Sequence, residues 1–111
     1  MRNTRVTSEL WISALRKRLE SQAIPIFVIQ KGDKVAGAII IRVSDLRGRS
    51  KVFLQAPSVT GDRRWVKHAS GLDVDIEAIL EEQKRFDQDL WILEVEEPHD
   101  IHFLNKFLLP I

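Results

Sequence analysis

The six residues Arg63-Arg64-Trp65-Val66-Lys67-His68 bring cations that can hold phosphate next to an indole on which a base can stack. In extended geometry Arg63, Trp65 and Lys67 share one side and Arg64, Val66 and His68 the other. Stacking and phosphate contact would then fall on one surface, making Arg63, Arg64, Trp65 and Lys67 the candidate nucleic-acid contacts. Lys31, Lys34, Arg42, Arg47, Arg49 and Lys51 add positive charge around the neighbouring turns. The structural alternative is a Trp65 half-covered by Arg and Lys stems.

Another chemistry belongs to the acidic end. His99 and His102, three apart, lie near Asp87, Asp89, Glu94, Glu96, Glu97 and Asp100. Imidazole and carboxylate together suit divalent ions, so His99 and His102 are weak metal candidates, against a solvated acidic edge as the alternative. Asp87 and Asp89 flanking Gln88 are either a hydrolytic carboxylate pair or a capped turn. Ser13, Ser44 and Ser58 have no His or Asp at a telling spacing, and each suits a surface or turn role. Gly32, Gly48, Gly61 and Gly71 stand singly, so no phosphate-cradling loop can be drawn. Cysteine is absent, which removes cysteine-built zinc fingers, iron-sulfur clusters and thiol catalysis. No catalytic residue and no cofactor are nominated.

A third kind of function is offered by Phe103-Leu104 and Phe107-Leu108-Leu109-Pro110-Ile111, a segment too apolar for a free terminus. Phe103, Phe107, Leu108 and Leu109 must dock either on their own domain or on another chain, a protein partner or a second copy.

These residues need a scaffold. The 111 residues are 44% apolar and 30% charged, with no linker or repeat, and read as one domain over 1–111. The longest apolar run, Val35 to Ile41, is too short to span a bilayer, and no apolar leader follows the polar start. The cytoplasm, with no membrane contact, is the expected compartment. Residues 1–67 hold 14 Lys and Arg against 5 Asp and Glu, while residues 68–111 hold 3 against 11, so a net charge of +1 conceals halves of +9 and −8.

Thr7 or Ser8 can cap a first helix carrying Trp11, Ile12, Leu15 and Leu19 at helical spacing, which Pro25 ends. Ile26–Gln30 and the run from Val35 to Val43 read as strands joined by a Lys31-Gly32-Asp33-Lys34 turn, and Lys51–Ala56 as a third strand of an antiparallel meander. A less regular strand follows over Arg63–His68. Asp73 can cap a second helix with Ile76, Ile79, Leu80, Gln83 and Phe86 in one stripe. Leu90–Glu96 forms a later strand with Trp91, Leu93 and Val95 inward, and Ile101–Leu108 a short helix or docked tail. The sequence predicts an α+β fold with the strand over 35–43 central and both helices on one face. Gly37 predicts an unusually close approach by a helix backbone or a bulge. Helix, three strands and helix is similar to the order in double-stranded-RNA-binding domains, but the second helix opens with Asp73, Asp75 and Glu77, which repel phosphate.

The stretch Lys84-Arg85-Phe86-Asp87-Gln88-Asp89-Leu90-Trp91-Ile92-Leu93-Glu94-Val95-Glu96 resembles a family of short, uncharacterised bacterial cytoplasmic proteins known only as a domain of unknown function. Glu9-Leu10-Trp11 with Ser13-Ala14-Leu15, Lys31-Gly32-Asp33 with Ala36-Gly37-Ala38, and Arg64-Trp65 are also similar. Gln88 stands where the family pattern leads one to expect proline. The resemblance implies a single-domain bacterial protein and brings no activity or cofactor. Arg85, two residues before Asp87 and four before Asp89, suggests a local ion pair. The function expected first is a non-catalytic domain that binds another macromolecule, a protein; a nucleic-acid-binding accessory module and a small enzyme or metal-binding protein are the alternatives.

Overall fold

The computed structural model describes residues 6–56 and 64–99. In chain order the elements are α1 (Ser8–Ser21), β1 (Ile26–Gln30), β2 (Ile39–Ser44), β3 (Arg49–Ala56), β4 (Arg64–Leu72), α2 (Asp73–Phe86) and β5 (Trp91–Glu96). Two helices and one open sheet, ordered β1-β5-β2-β3-β4, make an α+β fold.

Thr7 is the N-cap of α1, its hydroxyl accepting from the Leu10 N–H at 3.2 Å. Ser8 is instead fully buried in the first turn and donates to the Gly37 carbonyl at 2.6 Å. The helix stops ahead of Pro25, where Ala23 adopts the left-handed region at φ 59°.

β2 carries Ile39, Ile41 and Val43 on one side and Ile40 on the other, all buried, and is the central strand as expected. The expected hairpin between β1 and β2 does not form. β5 lies between them, antiparallel to β1 with Ile26 opposite Val95, and parallel to β2 with Ile39 opposite Trp91. The reason is two-sided apolarity: Trp91, Leu93 and Val95 on one face and Ile92 on the other must all leave water, which only an interior position allows. Only β2, β3 and β4 form the antiparallel meander. The apolar stretch 35–38 belongs to the connection, and β4 runs past His68, which is left unopposed where the register shifts between Val52 and Phe53.

The helices lie on opposite faces of the sheet rather than on one. Ile12, Leu15 and Leu19 of α1 pack with Ile39, Ile41, Trp91, Leu93 and Val95, whereas Ile76 and Leu80 of α2 pack with Ile40, Val52, Leu90 and Ile92. Strands apolar on both faces need cover on both. Each fully buried aliphatic side chain, such as Leu19 or Leu93, contributes about 1.5–3 kcal/mol through lost hydration. The backbone of α1 comes closest to β1, and that of α2 to β3 and β4.

Candidate functional site

The sequence segments that carry the family resemblance meet at one end of the sheet. The Asp33 N–H donates to the Asp89 carbonyl at 2.9 Å, and the Trp91 indole N–H to the Asp33 carbonyl at 2.7 Å. The Asp33 carboxylate accepts from the N–H groups of Val35 and Ala36 at 3.2 and 2.9 Å, shaping the loop. A Cβ on Gly37 would come within 2.6 Å of the Asp89 carbonyl oxygen and 2.7 Å of that of Asp33, and one on Gly32 would overlap the Asp89 carbonyl. The close approach expected at Gly37 is thus real, and loop backbone makes it. The Ser8 and Glu9 N–H groups donate to the Val35 and Lys34 carbonyls, so these donors at the start of α1 already have partners. Gln88 leaves its turn well defined because Asp87 Oδ1 accepts from the Asp89 N–H at 2.9 Å.

Arg42 is a largely enclosed cation, with a side chain 11% exposed. Its guanidinium lies 3.1 Å from Asp73 Oδ1, 3.7 Å from Glu77 and 3.8 Å from Glu94, and its Nε donates to Ser50 Oγ at 3.1 Å. Ser50 in turn donates to Asp73 Oδ1 at 2.6 Å. Asp73 is therefore the first residue of α2 and not its cap; Leu72 occupies the cap position without a side-chain bond. The Ser50 hydrogen bond, joined by Arg42 and opposed by desolvation, holds the Asp73 carboxyl below the usual aspartate range. The network fastens α2 to β2, β3 and β5. Sequence reasoning missed it, although a lone arginine within Ile39-Ile40-Ile41-Arg42-Val43 signals a buried cation in need of carboxylates.

Of the nucleic-acid candidates, Arg63 lies outside the described residues and Arg64 opens β4 opposite Ala56. Lys67 is exposed on the α1 face. Trp65 is 4% exposed and stacks on Trp11, with ring centroids 5.2 Å apart, so its face is not free for a base. His99 is exposed, its N–H donating to Glu97 Oε1, while His102 lies outside the described residues, as do Phe103, Phe107, Leu108 and Leu109. Among the described residues no His, Asp and Glu group is placed to hold a metal. Nor does Arg85 form the expected pair with Asp87 or Asp89: it is exposed, and beside Glu81 it helps Lys84, which donates to Glu81 at 2.9 Å, to lower that carboxyl's pKa.

The charge asymmetry of the sequence becomes an asymmetry of faces. On the α1 side Arg16, Lys17, Arg18, Arg49, Lys51 and Lys67 stand against Glu9 and Glu20. The α2 side places Asp73, Asp75, Glu77, Glu81, Glu82, Glu94 and Glu96 against Arg42, Lys84 and Arg85. On that acidic side two aromatic rings are in water. Phe86, expected in the buried stripe of α2, is 81% exposed at the helix's last turn, and Phe27, opposite Glu94, is 48% exposed on edge strand β1, beyond the reach of α2.

The family model described as "Protein of unknown function (DUF1491)" matches residues 6–105, nearly the whole chain. The chain belongs to the DUF1491 family. The solution structure of protein Atu0922 from A. tumefaciens is 33% identical, with a TM-score of 0.75 over 85% of this chain and 87% of that one. A crystal structure of a DUF1491 family protein from Caulobacter crescentus is 32% identical, with a TM-score of 0.79 over 90% and 95% of the two chains. An NMR structure of a DUF1491 protein from the same organism gives 30% and 0.77 over 91% and 94%. No curated protein matches the chain. The two glycines and the Asp33–Asp89–Trp91 bonds show what the resembling segments do here: they clamp the α1 start, the 31–38 loop and the 87–91 turn together.

Proposed function

We propose that this DUF1491 protein is a non-catalytic protein-interaction domain of the cytoplasm, engaging a partner through its α2 side. The observation that supports this most is the pairing of carboxylates with exposed Phe27 and Phe86 on one face. Exposed aromatic rings ringed by polar groups are what protein interfaces use as anchors, and the carboxylates favour a basic partner and speed its approach. Phosphate is repelled by the same surface, and Trp65 is committed to Trp11, which disfavours the nucleic-acid alternative. Among the described residues no helix is long and apolar enough to cross a membrane.

Affinity capture from a Caulobacter crescentus lysate with the immobilised full chain tests the reading. The expected result is a protein partner retained after nuclease treatment, released by high salt, and lost with Phe86→Asp. Capture that nuclease abolishes, or that Phe86→Asp leaves intact, would contradict it.

A further inference from the structure

The two outer strands of the sheet, β1 and β4, present different edges. β4 carries the cations Arg64 and Lys67, and charge along an edge deters pairing with another chain. β1 reads Ile26-Phe27-Val28-Ile29-Gln30 and has no charge, yet Phe27 and Ile29 are exposed. Its backbone is open as well. The Glu96 N–H donates to the Pro25 carbonyl, so Pro25 faces β5. Alternation along the strand turns the peptide groups of Phe27 toward β5 too, and the N–H and C=O groups of Ile26 and Val28 outward. These two donors and two acceptors have no partner among the described residues. The buried side chains of α1 pack on the sheet face, against Ile39, Ile41, Trp91, Leu93 and Val95, rather than along this edge.

We infer that β1 pairs antiparallel with β1 of a second copy of this chain, about a two-fold axis through Phe27, so that two five-stranded sheets become one continuous sheet. The strand is complementary to itself in that register. Ile26 of each copy stands opposite Val28 of the other, and the outward groups of these residues close four hydrogen bonds. Phe27 meets its own equivalent at a position without hydrogen bonds, where Cα atoms approach to about 4.5 Å and aromatic side chains pair across strands. An axis through Val28 would instead set Ile26 against Gln30 and include the register shift between Val28 and Gln30, which the Phe27 axis avoids. This self-match is what favours a second copy over a foreign strand: one short stretch supplies both halves of the contact, as a two-fold interface requires. No charge is buried, because β1 brings none. The two Phe27 rings remain on the α2 side beside Glu94, and Phe86 is untouched. The pairing therefore stands independently of the proposed partner site.

Sedimentation velocity on the full chain over a concentration series tests the pairing. The expected result is a dimer that dissociates on dilution. Phe27→Lys sets two ammonium groups face to face at the axis and should raise the dissociation constant at least tenfold, with an unchanged circular dichroism spectrum. The register has its own readout. The chain has no cysteine, so Phe27→Cys places one thiol per copy at the axis, within disulfide reach of the other. Under mild oxidant it should cross-link at least tenfold faster than Phe86→Cys, whose position is more exposed but lies away from the axis. A chain that stays monomeric up to about 1 mM would overturn the inference. So would a dimer that Phe27→Lys leaves intact, which would assign the contact to another surface, or Phe27→Cys cross-linking no faster than Phe86→Cys.

Discussion

At the scale of single residues, Arg42 ties α2 to β2, β3 and β5. Replacing it with Met leaves Asp73, Glu77 and Glu94 facing one another without their cation. Because Asp73 and Glu77 reach water, the cost should be about 2–3 kcal/mol, below the 3–5 kcal/mol of a fully enclosed pair, and visible as a fall of about 10 °C in Tm. Asp73 also sets an acid dependence. Its folded pKa lies below its unfolded value near 3.9, so the folded state binds fewer protons; the stabilisation is complete above that value and drains away as pH falls toward the folded pKa. Chemical unfolding of Asp73→Asn should accordingly show a shallower loss of stability below about pH 4 than the parent chain. Gly37→Ala forces a methyl into loop backbone and should cost about 1–3 kcal/mol. By contrast Gly71→Ala meets nothing within 4 Å and should be neutral or stabilising by up to about 0.5 kcal/mol, as judged by the same melts.

At the scale of elements, the sequence was most legible where local chemistry decides. β1 falls where its β-branched and aromatic run lies, and α1 begins at a Thr cap and ends before a proline, as the residues imply. Partnering was not legible, because hairpin logic favours neighbours in sequence. What overrides it is Ile92, an apolar residue on the second face of β5 that needs an interior strand. Placing both helices on one face failed for the same reason: Ile40 and Ile92 demand cover of their own, which Ile76 and Leu80 supply. The helical stripe of α2 was right at Ile76 and Leu80 and wrong at Phe86, since periodicity cannot tell where the sheet beneath a helix ends. The candidate site was legible only in part: Trp65 was singled out for chemistry it cannot do while stacked, and Phe27 and Phe86 were missed. Phe86→Ser should leave stability within about 0.5 kcal/mol of the parent chain, as for other exposed positions, and Arg85→Leu likewise, because no ion pair joins Arg85 to Asp87 or Asp89.

At the scale of the whole molecule, the sheet turns an asymmetry along the chain into one across it. α1 and the cations of β3 and β4 come from the basic half, α2 and the carboxylates of β5 from the acidic half, and the sheet lies between them. Opposed faces of opposite sign orient a molecule during encounter and make association sensitive to ionic strength. The measurement that bears most directly on the proposed role compares charge reversal on the two sides, using the captured partner at fixed ionic strength in calorimetric titrations. One variant carries Asp75→Lys, Glu82→Lys and Phe86→Ser; the other carries Arg16→Glu and Lys17→Glu. The predicted result is at least a tenfold rise in Kd for the first and less than a threefold change for the second. Equal affinity in the first, or the larger loss in the second, would contradict binding through the α2 side.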